Sequence, residues 1–161
     1  MGGGDKRSPS PTITGMTTTQ PMIHSLLPPG GFSNLVGHYV AALDIGSAYA
    51  AAAARASEDA AAACAALQSV GWLESAWVHQ AIGSVPTPDA PEGEDVEAWL
   101  GWLDAVRTVS IMVLRPMQDR DLEGLITIPE DADPAAGGGV RTVKRVLAEL
   151  LYLQGVARAD L

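Results

Sequence analysis

Cysteine occurs once in this chain, at Cys64, so neither an intramolecular disulfide nor a cysteine-rich zinc cluster can form within it. Phenylalanine also occurs once, and basic residues are scarce, 10 against 19 acidic ones, for a formal charge of −9. Phosphate binding requires a basic face, so nucleic acid is not an expected partner. The same charge repels anionic lipid, so no membrane partner is expected either. No apolar run approaches the roughly 18 residues of a membrane-spanning helix. Lys6 and Arg7 are not followed by an apolar stretch, so the N-terminus does not read as a secretory signal. Together these features predict a cytoplasmic protein.

What the chain does contain is alanine, which supplies much of the 47% apolar content. Alanine fills little volume and favours helix, so the composition predicts an all-α fold of closely packed helices. Cys64 lies in AAAACAAL and reads as a small buried thiol rather than a nucleophile.

Residues 1–22 are rich in Gly, Ser, Thr and Pro without hydrophobic period, and read as a disordered leader or an expression remnant. Residues 23–161 read as one domain. A first helix is predicted over 33–56, with Ser33 as N-cap and Leu35, Tyr39, Leu43, Gly46 and Tyr49 at helical spacing. Ser57, followed by Glu58 and Asp59, reads as the start of a second helix that runs to Ile82, with Leu67, Val70, Leu73, Trp77 and Ala81 on one stripe. SVPTPDAPEGED is a loop. The third helix is expected over 94–117, with Pro116 in its closing turn, and the fourth from 140 to the end. Between them, LITI can form a short extended segment, and the glycines at 137–139 read as a linker. Four amphipathic helices imply an antiparallel four-helix bundle.

In the second half, Asp119, Arg120, Asp121 and Leu122 form a D-x-D-L turn, and Thr142, Val143, Lys144, Arg145, Val146 and Leu147 open the last helix. SVGWLESAWVHQAIG precedes them on the second helix. In this order the chain resembles the DinB-like family, which includes thiol-dependent S-transferases and mycothiol-dependent maleylpyruvate isomerases. The resemblance implies a four-helix bundle. It also implies a metal site made by an H-x-x-x-H-R-G-Q motif on the last helix and one histidine from the second. Residues four apart lie on one helix face, which lets two imidazoles converge on one ion. Here those positions fall on Leu153, Ala157 and Trp72, none of which can coordinate a cation, while Arg158 and Leu161 keep family-like identities. The reading is therefore a family member with no metal and no cofactor. The remaining histidines, His24, His38 and His79, lack ligand spacing; a relocated three-histidine site is an alternative only if folding gathers them.

The candidate pocket lies among helices two, three and four: Trp72, Trp77, His79, Arg107, Ser110, Tyr152, Leu153 and Ala157. The tryptophans, including Trp99 and Trp102, either pack the core or form an aromatic wall for a ligand, and packing is preferred. Arg107 and Ser110 fall on the inward face of helix three. A buried arginine needs a partner, so Arg107 either snorkels to the rim, forms a salt bridge to Glu74 or Asp104, or anchors a ligand carboxylate. Glu74 itself reads as a solvated carboxylate, with no nucleophile to serve. Gly37, Gly46 and the alanines at 50–54 permit close helix approach, within the chain or in a homodimer. Three functions follow from this reading. The first is non-catalytic binding of a small, largely apolar molecule in the bundle cavity. The second is a metal-independent cyclase or isomerase using Arg107, Tyr152 or His79, and the third is a divergent S-transferase with relocated ligands.

Overall fold

The computed structural model describes residues 31–130, 138–159 and 161. Among these the chain is mostly helical, with four main helices and one small two-stranded sheet. Helix α1 spans Asn34–Ala56 and α2 spans Ala60–Glu74, which leads directly into a π-helix over Ser75–Ile82. Helix α3 spans Val96–Leu114. A 3-10 segment, Asp119–Glu123, leads to β1 (Leu125–Ile128), β2 spans Gly139–Thr142, and α4 spans Val143–Arg158. The leader and His24 lie outside the described residues.

The helix starts follow capping chemistry, though not always at the expected residue. Asp59, not Ser57, caps α2 by accepting from the Ala62 N–H at 2.9 Å. Asp95 caps α3 through the N–H groups of Glu97 and Ala98, at 3.0 and 3.4 Å. Thr142 caps α4 by accepting from Arg145 at 3.3 Å. Ser33 stands at the head of α1, but its hydroxyl donates to the Met117 carbonyl at 3.2 Å. The Asp119 carboxylate accepts from the freed N–H groups of Leu35 and Val36 instead, at 2.9 and 3.4 Å. The first aspartate of the D-x-D-L turn therefore closes a helix distant in sequence.

Three boundaries differ from the sequence reading. The second helix changes hydrogen-bond period at Ser75, so that Gly83 N–H donates to Val78 O at 2.9 Å. α3 ends at Leu114, because Pro116 cannot continue the N–H ladder. The last helix starts at Val143 rather than 140, because 139–142 pair antiparallel with LITI from Leu125↔Thr142 to Ile128↔Gly139. β-Branched residues on both segments suit that pairing, and Gly139 has φ +128° at its start.

The apolar residues form two clusters. An aliphatic one gathers Val36, Val40, Leu43, Trp77, Leu114 and Leu147. The other gathers Ala50, Ala54, Ala63, Leu67, Trp99 and Trp102. Helix α1 passes from the aliphatic cluster to the Ala/Trp cluster, whereas α2 and α3 both pass the other way. Helix α4 runs with α1: Val143 to Leu150 lie in the aliphatic cluster, and Ala157 packs on the Ala/Trp one. The antiparallel order expected between successive helices thus fails at α2 and α3, which run in the same direction. The loop over 83–95 makes this feasible. At roughly 3.3 Å per residue its extended reach is ~43 Å, against ~28 Å for the 19 residues of α3. Its carbonyls at Pro88 and Gly93 accept from the indoles of Trp102 and Trp99, at 3.0 and 2.9 Å.

Gly46, Ala50 and Ala54 are buried within this packing rather than left as an outer face. Gly71 is needed for close approach, since a Cβ there would overlap the Trp102 ring.

Candidate functional site

Each helix places a polar group at the level between the two apolar clusters. Helix α1 contributes Asp44 and Ser47, the second helix Glu74, Ser75 and His79, α3 Arg107 and Ser110, and α4 Gln154. Glu74, Ser75, His79, Ser110 and Gln154 are fully buried, and Arg107 is only 6% exposed.

The centre of this layer is a two-point ion pair. Arg107 Nε and Nη2 donate to the two Glu74 oxygens, each at 2.7 Å. Arg107 Nη1 donates to Asp44 at 2.7 Å and Nη2 also to Ser47 at 3.0 Å. Gln154 Nε2 donates to Glu74 at 3.1 Å and to the Val70 carbonyl at 3.1 Å, tying α4 to α2. Burial by itself raises the Glu74 carboxyl. The hydrogen bonds and charge of Arg107, aided by Ser110 and Gln154, outweigh that and hold it below the usual carboxylate range. Burial likewise works against the Arg107 cation, but Glu74 and then Asp44 hold its pKa above the ordinary value. The pair is therefore ionised and internally compensated. The expectation of a solvated Glu74 is corrected: it is the salt-bridge partner that Arg107 needed.

His79 comes from the π-helical turn, a type of bulge found often at functional sites. Its Nε2 lies 2.9 Å from the Val106 carbonyl and 3.0 Å from Ser110 Oγ. A carbonyl only accepts, so Nε2 carries the proton. It cannot then serve as the base for Ser110, and the pair is not a nucleophile–base dyad. Burial pushes the imidazole pKa down, opposed by the Val106 carbonyl and Glu74, so the ring is neutral and its Nδ1 is a buried acceptor without a hydrogen-bond partner among the described residues.

The sequence-predicted pocket is only partly assembled. His79, Arg107 and Ser110 come together in the layer. Trp77 is fully buried in the aliphatic cluster, so it packs the core and does not line a cavity. Trp72 is 43% exposed and meets Trp102 in a tilted contact, with ring centroids 5.4 Å apart and planes at 59°. Tyr152 is 71% exposed on the outer face of α4, which removes it from any interior pocket. Leu153 and Ala157 pack at the edges of the aliphatic and Ala/Trp clusters respectively. The helix turns Gln154 fully inward instead. Nor is the layer an open, apolar cavity, because polar side chains occupy it. Gln154, Asp44 and Ser47 were missed, yet Gln154 carried a signal: it continues the apolar stripe Val143, Leu147, Leu150 at helical spacing.

The alternative of a relocated three-histidine site includes His24, outside the described residues, and only His38 and His79 can be placed. His38 is exposed and bonds its own helix at Asn34 O, 2.6 Å away. Among the described residues, no group of three His, Cys, Asp or Glu is placed to hold an ion. No helix among them is long and apolar enough to cross a membrane.

Three surface grooves flank the layer. One of about 640 Å³ lies between the end of the π-helix and α3, with Ile82, Val85, Pro86, Val109, Met112 and Val113 among its walls. One of about 500 Å³ lies between α1 and α4, lined by Ile45, Gly46, Tyr49, Gly155 and Arg158. The third, about 300 Å³, reaches Arg107 between α1 and α3. No family model, curated protein or solved structure matches this chain.

Proposed function

We propose that this chain is a DinB-like helical protein that binds a small, largely apolar molecule without catalysis. Its site is the 640 Å³ groove beside the π-helix rather than the centre of the fold. One observation carries this reading: the groove has small-molecule dimensions, and its walls are aliphatic side chains, methionines, prolines and one glycine. Met112, 69% exposed, gives that wall an adaptable thioether. The lining offers no nucleophile, acid or base, which supports binding over turnover. The central layer supports it too, since its charges satisfy one another. Leu153 and Ala157 stand at the i, i+4 positions of α4 where the resemblance would place imidazoles, and this favours the metal-free form.

Nile red, a neutral apolar dye, tests the proposal. It is expected to bind saturably, one per chain, with its emission shifted to the blue. Met112→Glu should weaken it at least about tenfold by placing a charge in the apolar wall, without touching the core. Non-saturable partitioning, or an affinity that Met112→Glu leaves unchanged, would sink the idea.

A further inference from the structure

The second groove contains an anomaly of charge. Arg55, Arg107, Lys144 and Arg145 each hold a carboxylate, from Glu97, Glu74, Glu123 and Glu149 respectively. Arg158 holds none. In a chain with 19 acidic residues, no acceptor among the described residues reaches its guanidinium, and its Nη1 is buried without a hydrogen-bond partner. The side chain is only partly buried, but a guanidinium nitrogen removed from water without an acceptor is costly. Burial first, and then the nearby Arg107 cation, push the Arg158 pKa down, with Tyr49 opposing.

The side chain is nevertheless positioned by the fold. A Cβ on Gly46 would stand 2.5 Å from Arg158 Nη1 and 3.0 Å from Cζ, so the bare backbone of α1 is what receives the guanidinium. Tyr49 lines the same groove, is 64% exposed, and offers a phenolic donor. Ala42, Ile45 and Leu161 supply apolar walls, and the volume is about 500 Å³.

We propose that the groove between α1 and α4 is a binding site for a small organic monocarboxylate, whose carboxylate pairs with Arg158 and Tyr49 while its apolar body lies on Ile45 and Leu161. A planar guanidinium matches a carboxylate at two points. A formal charge of −9 disfavours a phosphate dianion more than a monoanion, and the apolar walls suit a hydrocarbon body. This site is separate from the apolar groove and does not depend on it.

Benzoate, titrated into the ¹⁵N-labelled full chain, is the probe. Saturable shifts are expected at the amides of Gly46, Tyr49, Gly155 and Arg158. Benzamide, the same shape without the charge, should bind at least about tenfold more weakly. Arg158→Met, with its fold checked by circular dichroism, should abolish the shifts, and Tyr49→Phe should weaken binding about two- to fivefold. Nile red binding should be unchanged in both variants, so failure of one site is separable from failure of the other. Equal affinity for benzamide, or absence of saturable shifts at those four amides in the unaltered protein, overturns the proposal. If Arg158→Met does not fold, the benzoate–benzamide pair and Tyr49→Phe decide it.

Discussion

The two ends of the molecule bury apolar surface by different means. The aliphatic end relies on branched side chains, with Val36, Val40, Leu43, Leu114, Val146 and Leu147 from three helices meeting at similar size. The other end sets very small residues against very large ones, with Ala50, Ala54, Ala63 and Gly71 making room for Trp99 and Trp102. Equal-sized branched residues interdigitate and tolerate small adjustments, whereas a tryptophan over a glycine leaves no slack. The polar layer joins the two ends and touches all four helices. The comparison teaches that a chain with one phenylalanine and little bulk outside its tryptophans can still close a core, provided its glycines and alanines stand opposite those rings.

The largest effect should come from the layer. Arg107→Met leaves Glu74 buried without a counter-charge and is expected to cost about 3–5 kcal/mol in urea denaturation. Glu74→Leu combined with Arg107→Met removes both charges and should recover most of that loss. A double variant as unstable as the single one would show that the layer is not a self-compensating unit.

Next comes the Ala/Trp end. Gly71→Ala should cost about 1–3 kcal/mol, because the new methyl meets the Trp102 ring. Gly101→Ala, on the same end but facing open space on α3, should instead gain about 0.5–1 kcal/mol through helix propensity. Similar values for the two would remove the claimed contrast in packing.

The smallest effect is a pH dependence. The His79 pKa is depressed in the folded state, so the unfolded chain binds the proton more readily. Its contribution to stability is complete above the ordinary imidazole value near 6.5 and is lost as pH falls from there towards the folded value. Glu74, also depressed, adds a second loss below the ordinary carboxylate range. Chemical denaturation across pH 7 to 2 should therefore show a first decline that His79→Gln removes and a later one, below about pH 4.5, that it leaves.

Much of this was legible in the residues themselves. LITI is extended as its β-branched residues imply, but the stripe read for α1 is displaced: Leu43 and Gly46 are buried, whereas Leu35 and Tyr49 are exposed and Val36, Val40 and Ala50 are buried instead. Arg107 and Ser110 read as inward-facing, and they are. The π-helix was not legible, since Leu73, Trp77 and Ala81 fit ordinary helical spacing equally well. Strand β2 was hidden for a related reason: GVRT has no strong period, and its partner LITI lies elsewhere in the chain. Glu74 was one of two carboxylates read as a partner for Arg107, and the pair forms; its full burial was not legible, because one carboxylate on a helix carries no mark of the side chains that will cover it.

Amino-acid order alone determined that this chain makes helices and roughly where they run, because those properties depend on neighbours within a few residues. Tertiary structure alone decided that α2 and α3 run the same way, that the interior is ionic rather than hollow, and that Arg158 meets no carboxylate among the described residues. Those outcomes depend on which distant groups share one small volume, and Coulomb forces and desolvation act through space, not along the chain.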